Sequence, residues 1–220
     1  MCRITYAVKL TRRQLTRHGA GVNSYSSSHV KMLDWRAAYL QALGRTTMRI
    51  EYQGTDSHGR ATYLGFADDL ADLATLGVPA TPFVLFIGAD ASRSIPEPYF
   101  TVAERLLELG AVYIVCWGPD CQRAEDLFDE AVVGDGEIDR FGNIITTSHP
   151  EDSICQALEF ATSQAVPDDD FTESCSTLVV VFVGNVQWYN EGHNCLEDLL
   201  VDRTEHESPP RSRSTRQQAR

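Results

Sequence analysis

Residues 111–133 read AVYIVCWGPDCQRAEDLFDEAVV, from Ala111 to Val133. An unbroken apolar run meets a Gly-Pro-Asp-Cys turn, and Ala124, Leu127, Phe128 and Ala131 then recur at helical spacing. A strand apolar on both faces that turns directly into a helix is half of a βαβ unit, and such strands lie inside covered parallel sheets.

The flanking sequence repeats this alternation. Phe83 to Ile87 (FVLFI) and Leu178 to Val183 (LVVVFV) are two more apolar runs, ending in Gly88-Ala89-Asp90 and Gly184-Asn185. Asn143 to Thr147 (NIITT) reads as a shorter strand, and Tyr63-Leu64 as the end of another. Helical spacing is visible from Phe66 to Gly77, from Pro98 to Leu109, and from Asp120 to about Val132. Another helix runs from a Ser148-x-x-Glu151 capping box to about Gln164, and a last one spans part of 186–202. The expected fold is α/β, a Rossmann-like three-layer sandwich around a mostly parallel sheet of four or five strands.

Charge divides the chain more sharply than composition does. Residues 1–60 carry +7, residues 61–202 carry −22 and residues 203–220 carry +3, giving the total of −12. The expected organisation is a basic extension over 1–59, an acidic domain over 60–202 and an Arg/Ser tail over 203–220. Low apolar content marks both ends as loosely docked or disordered, apart from a short helix expected over Ser28–Leu43. An upstream start in the gene, with Met32 or Met48 as the true first residue, is one explanation of the extension. The first thirty-three residues also bear a superficial likeness to a transit peptide.

A domain at −22 repels phosphate backbones, which argues against nucleic acid and for a basic protein partner. The acidic helix with Glu125, Asp126, Asp129 and Glu130 is the expected binding face. No apolar run approaches the ~20 residues a spanning helix requires, so no membrane role is expected. Six cysteines without a Cys-x-x-Cys pair suit a reducing compartment, and the chain reads as cytoplasmic.

Strand carboxyl ends form the ligand crevice of open α/β sheets. Here they bring Asp90, Asp120, Cys121, Thr147, His149 and Asn185 towards one rim. Two reactive readings follow. Cys121, in a helix's first turn where the dipole lowers a thiol pKa, is a candidate nucleophile with His149 as base and Glu151 or Asp152 orienting the imidazole. Asp90 and Asp120 are candidate oxygen ligands for a metal ion such as Mg²⁺, although Asp120 also suits a helix N-cap. His193-x-Cys195 with Cys175 does not make a zinc pattern. Walker A, Gly-x-Gly-x-x-Gly and Gly-x-Ser-x-Gly motifs are absent, and no cofactor is expected.

Trp117-Gly118-x-Asp120-Cys121, the acidic helix, and Thr146-Thr147-x-His149 together resemble a bacterial family of small uncharacterised domains. The resemblance covers about residues 60–185. The family pattern has more aromatic residues after the Cys and beside the His, where Arg123-Ala124 and Ser148 stand here. It implies a domain boundary and no activity.

Overall fold

The computed structural model describes residues 3–6, 48–93, 96–134, 141 and 143–200. Seven strands form one sheet: β1 (Arg3–Tyr6), β2 (Ile50–Thr55), β3 (Ala61–Ala67), β4 (Phe83–Gly88), β5 (Ala111–Trp117), β6 (Ile145–His149) and β7 (Thr177–Val183). Their order is β1-β6-β5-β4-β7-β3-β2. The five strands from β6 to β3 are mutually parallel, and β1 and β2 close the edges antiparallel. This is the expected α/β architecture, with two edge strands added.

The helices are α1 (Pro96–Glu108), α2 (Cys121–Val133), α3 (Ile154–Ser163), the single turn α4 (Asp169–Thr172) and α5 (Val186–Leu199). α1 packs on α2 over one face, and α3 packs on α5 over the other. Strands β4, β5 and β7 are buried almost throughout because each face meets a helical layer. Between β4 and β7 the connections leave for opposite faces, so the topological switch point lies at their carboxyl ends.

Four expectations change. The stretch 1–59 contains β1 and β2, and Met48 lies in the core, so the sheet extends upstream of residue 60. The helix expected over 66–77 is instead the end of β3 followed by a 3-10 helix, Leu70–Thr75, opened by an Asp69/Asp72 capping box. The strand expected to stop at Thr147 continues to His149, and Ser153 with Gln156, rather than Ser148 with Glu151, caps the next helix. Cys155 and Cys195, expected as thiols, form a disulfide, because α3 and α5 run side by side with their Cα atoms 5.3 Å apart. The helix expected over 28–43 and the tail 203–220 lie outside the described residues.

Candidate functional site

The turn after β5 is fixed by its backbone. Gly118 adopts φ 114°, and a Cβ there would drive into the carbonyl oxygen of Ala89. Ala89 N–H donates to Trp117 O and Ala91 N–H to Pro119 O, both at 3.0 Å, so the exits of β4 and β5 are stitched together. Asp120 occupies the N-cap position of α2 in the left-handed region (φ 57°) and makes no side-chain cap bond. A capping side chain needs extended backbone to reach the N2 and N3 amides, so the expected cap does not form. The exposed carboxylate instead faces Arg123 at 3.9 Å.

Trp117 and His149 are register partners on β5 and β6. The His149 side chain is fully buried, with its ring 4.5 Å from that of Phe160 on α3. Its Nδ1 lies 2.7 Å from Asp152 Oδ2, and Trp117 Nε1–H donates to Asp152 O at 2.8 Å. Of the two carboxylates offered to orient the imidazole, Asp152 takes it. Trp117 also meets the edge of Trp188 on α5, with ring centroids 5.2 Å apart, across the switch point.

Cys121 is separated from this arrangement by the sheet. Side chains alternate along β6, so His149 turns to the α3 face and Ser148 to the α2 face. The Cys121 thiol is met by the main-chain N–H of His149, while the His149 ring goes to Asp152 and Phe160. Burial pushes the Cys121 thiol up, assisted by Glu125 and partly opposed by the amides of His149, Cys121 and Gln122. Desolvation therefore outweighs the helix-terminus effect that sequence favoured. The remaining rim residues have structural work: Asp90 accepts from Ser92 N–H at 3.0 Å, Asn185 accepts from Gln187 N–H and Trp188 N–H, and Thr147 is buried. Among the described residues no three His, Cys, Asp or Glu side chains could together hold a metal ion.

Behind the turn lies a polar cluster that sequence reading missed. Glu125 is fully buried, with Oε2 accepting from Ser148 Oγ and Oε1 lacking a hydrogen-bond partner. Asp129 Oδ1 accepts from Thr146 Oγ1 at 2.6 Å. Cys116 sits beside them, its thiol pushed well up by burial and then by Cys121, Glu125 and Asp129. The signal was present in the spacing: Glu125 follows Cys121 by four and precedes Phe128 by three, so it falls in the buried stripe of α2. The expected acidic face is therefore halved, since only Asp126 and Glu130 of its four carboxylates are exposed.

An orphaned buried oxygen makes a signed prediction. Replacing both members of the pair, Glu125→Met with Ser148→Ala, is expected to be neutral or stabilising, whereas Ser148→Ala alone costs about 1–3 kcal/mol. Urea denaturation of the three proteins checks this ordering, and a double variant weaker than the single would contradict it.

The family model described as Domain of unknown function (DUF7684) matches residues 62–199. The chain belongs to this family. No curated protein matches it. The matched DUF7684 segment begins in β3 and ends with α5, leaving β1 and β2 outside. Within it, the loops after the five parallel strands (68–69, 89–92, 118–120, 150–153 and 184–185) carry Asp68, Asp69, Asp90, Asp120, Glu151 and Asp152. Cations stand beside them, since Arg93 lies in the connection after β4 and Arg123 on α2 is 3.9 Å from Asp120. At the opposite edge of the sheet the DUF7684 domain has a cleft of about 450 Å³ among Pro82, Leu107, Val112, Ile144, Phe171 and neighbouring residues, far from the turn that sequence singled out. Among the described residues no helix is long and apolar enough to cross a membrane.

Proposed function

We propose that this domain is a binding or regulatory module whose carboxyl-edge rim takes a basic segment of a protein partner. The observation that supports the reading is the set of six carboxylates on four of the five parallel strand ends, with Arg123 beside Asp120 and His149 beside Asp152. Asp68, Asp69, Asp120 and Glu151 are exposed and Asp90 and Asp152 are half-buried, so the row faces solvent. Complementary charge of this kind steers association and repels polyanions, which argues against nucleic acid as the partner of this face. The proposed setting is the bacterial cytoplasm.

A fluorescent nona-arginine peptide is the direct probe. It should bind with an affinity that falls as salt rises, and Asp68→Lys with Asp69→Lys and Glu151→Lys should weaken it at least about tenfold. Undiminished binding by that triple variant would remove the reading.

The second reading, a thiol- or metal-dependent enzyme centred on Cys121, is favoured by one observation, the oriented His149–Asp152 pair. It requires Cys121 to be alkylated by iodoacetamide in the folded protein faster than a model thiol of ordinary pKa, about 8.5. The upward push on this thiol leads us to expect the reverse.

A further inference from the structure

The Cys155–Cys195 bridge ties two helices that are anchored very unequally. α3 buries Ile154, Ala157, Leu158, Ala161 and Thr162, and its carboxyl end is held by the guanidinium of Arg60, whose Nη1 and Nη2 donate to Ala165 O and Ala161 O at 2.7 Å. α5 buries only Gly192, Cys195 and Leu196 of its fourteen residues. One of those three is the bridging cysteine itself. Gly192 lies against the ring of Phe182, so close that a Cβ would overlap it. The first turn of α5 supplies Trp188 to the contact with Trp117 at the switch point.

Access is equally uneven. Cys155 is exposed on the outside of α3. The other described cysteines, Cys116, Cys121 and Cys175, are buried, and burial pushes each thiol up. A thiol reagent therefore meets the bridge and not the free cysteines.

We infer that Cys155–Cys195 is a redox modification site that reacts with cellular dithiols and sets how firmly α5, with Trp188, is held at the carboxyl edge. The reductant's thiolate attacks Cys155 Sγ, the S–S bond breaks, and Cys195 leaves as a thiolate that takes up a proton. The reductant's second thiol then displaces Cys155 from the mixed disulfide, giving two protein thiols and one oxidised dithiol. Because α3 keeps its buried face and its Arg60 clamp, the freedom gained falls on α5. In a reducing compartment, surviving bridges are characteristically of this reactive kind.

The test uses the full chain carrying Cys2→Ser and Trp35→Phe, which leaves Trp117 and Trp188 as the only tryptophans and removes the one cysteine outside the described residues. It is titrated with dithiothreitol and read by alkylated mass, tryptophan emission, far-ultraviolet dichroism and hydrogen exchange. Expected are two added alkyl groups, a red shift of emission, and faster exchange over 186–199 but not over 154–163, all with dichroism retained. Cys155→Ser with Cys195→Ser should show the reduced signature without reductant and ignore dithiothreitol. Unchanged emission and exchange after both thiols are alkylated would overturn the inference. So would loss of dichroism in step with reduction, or alkylation of both cysteines before any reductant is added. None of these readouts uses the arginine peptide, so the inference stands or falls separately from the rim reading.

Discussion

Arg60→Met is expected to destabilise the domain by about 3–5 kcal/mol, the range for removing one partner of a buried ion pair. Asp56 and Arg60 are almost wholly shielded from solvent, with Nε 2.6 Å from Oδ2. Asp56 Oδ1 also accepts the main-chain N–H groups of His58 and Arg60 at 2.9 Å, which shapes the turn between β2 and β3. The two remaining guanidinium nitrogens satisfy carbonyls at the end of α3, where unpaired oxygens and the negative end of the helix dipole collect. Ser57 Oγ adds a bond to Thr162 O at 2.7 Å. Removing the guanidinium strands a buried carboxylate and two helix-end carbonyls together.

At the usual scaling for a chain of this size, the melting temperature should fall by roughly 10 °C. Arg60→Lys should recover little, because one ammonium cannot replace a planar fork that meets Asp56, Ala161 and Ala165 from three nitrogens. A urea midpoint giving less than about 1 kcal/mol of loss for Arg60→Met would mean that the clamp is dispensable. The prediction is distinct from the redox one, since it strikes the anchored helix α3.

Sequence shows the centre of this fold and hides its closures. Phe83–Ile87, Ala111–Trp117 and Leu178–Val183 are legible because a strand covered on both faces must be apolar at every position. Ile50–Thr55 (IEYQGT) is not, because an edge strand with one solvated side reads as polar and ordinary. Arg60 looked like the first residue of the domain. Its side-chain contacts lie 101 and 105 residues away or within a turn of four, and the two distant ones are invisible to a local reading. The Cys155–Cys195 bridge is hidden for the same reason, since nothing local in either helix announces a partner 40 residues off.

The candidate site was legible as a place more than as a set of roles. The Trp117 and His149 segments do meet, through Asp152, because they end adjacent parallel strands in register. Which face each side chain takes depends on strand alternation through to His149, and reading β6 as ending at Thr147 concealed that Cys121 and the imidazole ring belong to opposite layers. Charge counting also failed at Glu125 and Asp129, which it scored as solvated although both bond to hydroxyls of β6.

Gly118→Ala is the second large effect, with an expected cost of about 3 kcal/mol or more. A non-glycine residue at φ 114° carries strain of order 1–3 kcal/mol. To this is added the overlap of its Cβ with Ala89 O. The obstacle is main chain, and it cannot move aside, because Ala89 N–H is bonded to Trp117 O on one side of it and Ala91 N–H to Pro119 O on the other. Yielding would spread the ends of β4 and β5, carry Trp117 away from Asp152 O and Trp188, and so disturb the switch point itself. Asp120, two residues on, supplies the contrasting control. A true N-cap Asp loses only a few tenths of a kcal/mol on replacement by Gly. Asp120 has no cap bond and sits in the left-handed region, where Gly costs nothing, so Asp120→Gly should be neutral or stabilising by up to about 1 kcal/mol. Thermal melts should therefore fall for Gly118→Ala and hold or rise for Asp120→Gly. If both fell together, the turn would be held by the Asp120 side chain after all, and the backbone account of Trp-Gly-Pro-Asp-Cys would be wrong.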